Sequence, residues 1–201
     1  MQSAAAYRSL RLSIRWLPDE ASEPTRTIVL TGARTGVFID TRFLKGTRDI
    51  DWAFAGYRFT DPSSDEVEDS GTNTTLPDGN ILEVGEMINP ATRKMTPFEE
   101  IWLDQEERDE KTVLFVKNIS GTSWQARVGD WQTGLGRGKD GVFWAWQAEK
   151  EGSGWTTKYS TVSAYITYLP DGLSIGGWEE GSVVDWVGDK WIVLERGRPY
   201  Y

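Results

Sequence analysis

The residues able to do chemistry in this chain are few in kind. Its 201 residues contain no cysteine and no histidine. Thiolate nucleophiles, cysteine zinc sites, Ser-His-Asp triads and imidazole acid/base catalysis are therefore excluded together. Proton transfer falls to Asp, Glu, Lys or Tyr. Carboxylates that alternate onto largely apolar strand faces are the candidates. Glu83 shares a face with Ile81 and Met87, Glu86 shares the other with Leu82, Val84 and Ile88, and Glu100 falls with Phe98 and Trp102. Inside a barrel, desolvation would raise the pKa of such a carboxyl and suit it to act as general acid or base. The plainer reading is an ion pair with Arg42 or Arg58, or a place at a barrel mouth. If the chain is an enzyme, Glu86 or Glu100 moves the proton and Arg58 holds an oxyanion or enolate. Trp52, Tyr57 and Trp102 would then enclose an apolar or aromatic substrate. A carboxylate-only magnesium or calcium site stays open to this composition, but no EF-hand-like spacing appears, and neither metal nor cofactor is expected.

Two further motifs have competing readings. Gly136, Gly138 and Gly141 in "GLGRGKDG" match G-x-G-x-x-G, but strand-like "VFWAWQAE" follows where a dinucleotide site needs a helix N-terminus. A hairpin tip is the better reading. Eleven tryptophans are either core filling in tapering barrels or the walls of a cavity for a flat ligand. Trp144 and Trp146, two residues apart, share a face.

The elements that must position these groups are strands. "LRLSIRWL" (10–17) alternates Leu10, Leu12, Ile14 and Trp16 against Arg11, Ser13 and Arg15, which places the arginines on a solvated face. Short runs rich in β-branched and aromatic residues follow at 26–32, 37–44, 51–59, 81–88, 98–104 and 112–118. Others lie at 123–131, 141–149, 154–160, 163–169, 181–188 and 190–197. "PDGN" (77–80), "PDGL" (170–173) and "VGDK" (187–190) mark turns. Helical periodicity is nearly absent, with one turn conceivable near 160–164. So many short strands predict an all-β protein of two small antiparallel barrels in tandem, 1–108 and 109–201, with "LDQEERDEK" (103–111) as the hinge.

The net charge of −9 argues against nucleic acid and anionic membrane surfaces. Residues 1–108 hold most of it, with 12 Lys/Arg against 19 Asp/Glu. "DPSSDEVEDSGTNT" (61–74) carries five acids and no base, which predicts a solvated loop. The sharper reading makes Ser63, Ser64 and Ser70 phosphorylation sites for an acidophilic kinase. No secretory h-region and no apolar run near ~18 residues is present, so a soluble cytoplasmic protein without a membrane span is expected.

"SIRWLP" (13–18), "EPTRTIVLT" (23–31), "FIDTR" (38–42), "DWAFAG" (51–56), "ILEVGEMINPAT" (81–92) and "EEIW" (99–102) occur in an order and spacing that resembles the fungal HRI-type family, named for interaction with a casein kinase I. "EGSVVDWVGDKWIVLE" (180–195) is similar to that family's closing hairpin. The resemblance implies lipocalin-like barrels, an intracellular location and a role exercised through protein partners. It supplies no catalytic residues. A non-enzymatic adaptor or regulator that captures a kinase-type partner on an acidic surface is the leading expectation. A cofactor-independent isomerase or cyclase of fungal secondary metabolism, acting on an apolar or aromatic small molecule, is the alternative.

Overall fold

The computed structural model describes residues 5–58, 70–108, 112–162, 166–170 and 176–197. Among them the fold is fourteen strands with no α-helix, and no helix is long and apolar enough to cross a membrane. Two antiparallel sheets of seven strands form, one from each part of the chain. The N-terminal sheet contains β1 (Ala6–Trp16), β2 (Thr25–Thr31), β3 (Val37–Leu44), β4 (Ile50–Tyr57), β5 (Ser70–Thr75), β6 (Ile81–Ile88) and β7 (Met95–Glu107). Its order is β4-β3-β2-β1-β7-β6-β5. The C-terminal sheet contains β8 (Leu114–Asn118), β9 (Ser123–Val128), β10 (Trp131–Arg137), β11 (Phe143–Glu151), β12 (Gly154–Ser160), β13 (Val183–Trp186) and β14 (Asp189–Arg196), in the order β12-β11-β10-β9-β8-β14-β13.

Period-two alternation gives each sheet two faces with different duties. In β2 and β3, Ile28, Leu30, Val37, Ile39 and Phe43 point to one side. They join Val113, Phe115, Ala126, Val128, Trp131, Leu135 and Ala145 of the other sheet in one core cluster. Polar ties cross the same interface. Gln147 Nε2 donates to the Thr41 carbonyl at 2.9 Å and the Arg26 carbonyl at 3.1 Å, and Thr41 Oγ1 meets Thr133 Oγ1 at 3.1 Å. At one end the fully buried Glu195 carboxylate accepts the Ala33, Arg34 and Thr35 backbone N–H groups at 2.6, 3.2 and 2.9 Å. The β2–β3 turn is thereby clasped by the last strand of the chain.

Three sequence readings are corrected. The segment 163–169 is not a strand across its described part, 166–169; Leu169 is instead buried against β8 and β14. β10 escaped notice because "WQTGLGR" is rich in glycine, which strands usually avoid. Here Gly134 pairs with Trp146 and Gly136 with Trp144, and a Cβ on either glycine would meet the partner indole at 2.7 Å. The missing side chains make room for the rings. β5 escaped because "SGTNTT" merges with the acidic stretch before it. Residues 61–69 of that stretch, with the serines and acids singled out there, lie outside the described residues. The Gly136–Gly141 motif is the β10–β11 hairpin tip, as expected: Gly138 N–H bonds the Val142 carbonyl, and Gly141 has φ +77°.

Candidate functional site

The other face of the N-terminal sheet encloses a cavity of about 500 Å³. Trp52 and Phe54 of β4 and Gly71 and Asn73 of β5 line it together, although these strands are the opposite edges of the sheet. The sheet therefore curls around its own concave face. No ladder joins β4 to β5 among the described residues. A smaller recess of about 80 Å³ shares Val29, Arg58, Asn73, Glu83 and Trp102 with it and adds Tyr7, Ser9 and Asp104.

The floor is a buried charge network that begins with an irregularity in β1. Arg11 pairs with Trp102 of β7 and Ser13 with Ile101, so Leu12 is skipped. Such a bulge reverses which side chains face in. Leu12 is left 41% exposed and Arg11 only 4%, so the arginine assigned to a solvated face is in fact inside. Arg11 Nε donates to Glu23 Oε2 at 2.8 Å, Nη1 to Glu100 Oε1 at 2.6 Å, and Nη2 to Thr25 Oγ1 at 2.8 Å. Arg42 Nη2 donates to Asp40 Oδ2 at 2.7 Å, and its Nη1 stands 3.7 Å from Glu100 Oε1. Glu100 thus sits between two guanidinium groups.

Burial and pairing compete at Glu100, Glu23 and Arg42. Burial raises the Glu100 pKa above its ordinary value, and Arg11 and Arg42 oppose that shift without cancelling it. Burial would also raise Glu23, but its hydrogen bonds from Arg11 and Thr25 outweigh this and the pKa is lowered. For Arg42, desolvation would lower the pKa; Asp40 and Glu100 reverse it, so the guanidinium stays charged.

Aromatic rings build the wall above this floor. Phe38 and Phe54 pack edge-to-face at 5.3 Å, Trp52 tilts against Phe54 at 6.0 Å, and Arg42 lies over Trp52 at 5.7 Å. Trp52 is 44% and Phe54 38% exposed, large apolar surface left facing an open cavity. Arg58 covers Phe38 at 5.3 Å and donates to Tyr7 Oη at 3.3 Å. Trp102 is buried, and its Nε1 has no hydrogen-bond partner. A buried N–H without an acceptor is uncommon and costs stability until something accepts from it.

Of the six residues picked from sequence, Trp52, Arg58, Glu100 and Trp102 meet at this cavity. Tyr57 touches its margin, but its ring packs edge-on against Trp124 of the other sheet at 5.9 Å, and burial raises its phenol pKa. Glu86 is exposed and is not part of the lining; Glu83 and Met87, on the opposite face of β6, are. Arg11, Asp40 and Glu23 were missed. Asp40 and Arg42 were legible as an i, i+2 pair on one face of "FIDTR", whereas Arg11 was hidden by a bulge that leaves no mark in the sequence pattern. Among the described residues no cluster of three or more carboxylates is placed to hold a metal ion.

The family model described as Protein HRI1 matches residues 8–66 and 57–195. No curated protein and no solved structure matches the chain.

Proposed function

The chain belongs to the HRI1 family, and from that premise we propose that it is a regulatory protein whose N-terminal cavity binds a small ligand without transforming it. Family membership fits a regulatory protein. The observation that carries the ligand reading is the combination around one cavity: about 500 Å³ of space, exposed aromatic rings, and the unpartnered Trp102 Nε1. A partly aromatic molecule with a hydrogen-bond acceptor answers both features.

The engaged state of the acids argues against catalysis. Glu100 and Asp40, the buried carboxylates of the lining, are each tied to an arginine. A base held in this way serves as scaffold for the pocket rather than as proton carrier. The partner expected from the resemblance, a kinase-type protein held on acidic surface, is kept as the output of the same regulator. It rests on Asp65, Glu66, Glu68 and Asp69 of the sequence, and salt-sensitive capture lost in their alanine variants would support it.

Calorimetry with 2-acetylnaphthalene, an aromatic ketone that accepts but does not donate, tests the cavity. Saturable binding, weakened about three- to tenfold by Trp102→Phe, is expected. Absence of binding to the native protein would remove the ligand reading.

A further inference from the structure

The concave face of the C-terminal sheet is crossed by its own chain. Leu169 N–H donates to Gln132 Oε1 at 2.7 Å, and Gln132 Nε2 donates back to the Leu169 carbonyl at 3.2 Å. Tyr168 meets Thr157 Oγ1 at 2.7 Å and packs edge-on against Trp146 at 5.8 Å. This strap fills one part of the concave side and leaves a separate pocket of about 300 Å³ beside it. Its walls are the indoles of Trp144, Trp146 and Trp191, with Ile166 of the strap.

Two polar features of the pocket point the same way. Gln125 is 7% exposed, lines the pocket, and its Oε1 has no hydrogen-bond partner. Asp189, also in the lining, adds a carboxylate; its Oδ2 accepts from Asn118 Nδ2 at 3.1 Å and its Oδ1 from the Lys190 backbone N–H at 2.8 Å, which leaves each oxygen a further lone pair. Both groups accept hydrogen bonds, and a lining with three tryptophans favours planar and cationic guests. The pocket rim includes Val187, whose φ of +54° is strained for a β-branched residue.

We infer that this pocket is a second, independent ligand site, for a planar heteroaromatic molecule that carries an N–H donor and is neutral or protonated. It selects against anions, because a carboxylate on the guest would meet Asp189 and leave Gln125 Oε1 unanswered. It differs from the N-terminal cavity, whose unanswered group is a donor.

Titration with tryptamine and with indole-3-acetate, followed by calorimetry on the full chain, tests this. The two probes share a ring and differ in charge. Saturable tryptamine binding at least about tenfold tighter than indole-3-acetate is expected. Gln125→Met should weaken tryptamine about three- to tenfold, Ile166→Trp should abolish binding by filling the space, and Trp102→Phe should leave it unchanged. Should Gln125→Met not fold, the probe pair on the native protein and Ile166→Trp still decide. The inference is overturned by no saturable tryptamine binding, by equal affinity for the two probes, or by a tryptamine site that Trp102→Phe removes and Ile166→Trp spares.

Discussion

The two sheets have the same strand count and each sets its last strand beside its first, with the opening after the fourth strand in one and after the fifth in the other. Their concave faces solve the problem of an interior in different ways. The C-terminal one is filled in part by the chain itself, beside the pocket of about 300 Å³: Tyr168 and Leu169 enter it, and Trp146, Trp155, Trp178, Trp186 and Trp191 pack around them. The N-terminal one holds charge where the other holds rings. Its Arg11, Glu100, Arg42 and Asp40 cannot collapse on one another without losing their hydrogen-bond geometry, so the space above them stays open. An aromatic interior can close in part by packing, down to about 300 Å³ here; a salt-bridged floor with an aromatic wall keeps the larger space, about 500 Å³.

The comparison breaks most sharply at Arg11. Arg11→Ala leaves Glu23 and Glu100 facing each other's surroundings without their shared cation. We expect about 3–5 kcal/mol of lost stability by denaturant unfolding, with Arg11→Lys recovering only part, since an ammonium cannot reach three acceptors in a plane. On the filled side, Gln132→Leu should cost about 2–3 kcal/mol, because the Leu169 N–H and carbonyl lose both partners while buried. Hydrogen exchange should then rise at 166–170 and stay unchanged in β1 and β7.

Acidity separates the halves next. The folded pKa of Glu23 lies below its ordinary 4.5, so its contribution is present above that value and is lost as pH falls through the folded pKa. Glu100 has the opposite sign: its folded pKa lies above 4.5, so the folded state binds the extra proton and stability declines as pH rises from 4.5 through the folded value. Glu23→Gln should flatten the acid limb of the stability–pH curve and Glu100→Gln the limb above it. The strap contacts of the C-terminal sheet involve amides, hydroxyls and backbone, so exchange at Leu169 should not follow either limb. The smallest effect is at the β13–β14 turn, where Val187→Asn should stabilise by about 0.5–1 kcal/mol, since asparagine accepts a positive φ before Gly188.

Much of this was legible in the residues. Alternation in "RTIVLT" and "VFIDTRFL" identified strands whose two faces differ, and the alternation around Glu100 and Trp102 put both on one face, where the cavity is. The hairpin at Gly136–Gly141 followed from what came after it. The rest was hidden for physical reasons. A bulge at Leu12 inverts a pattern of otherwise faithful period, so Arg11 read as solvated. Glycines in β10 read as loop because the indoles that occupy their missing side-chain space lie on another strand. Tyr57 alternated correctly away from Trp52, but a sequence cannot say that the face it joined belongs to a second sheet. Leu169 looked like strand and is instead held by a glutamine that imitates a strand partner.

The claim that the N-terminal cavity is the container is tested most directly by the indole N–H resonances of the ¹⁵N-labelled protein during titration with 2-acetylnaphthalene. Saturable shifts confined to Trp52 and Trp102, with Trp146, Trp155 and Trp191 unmoved, are the predicted result. Shifts confined to the C-terminal indoles, or none at any tryptophan, would contradict it.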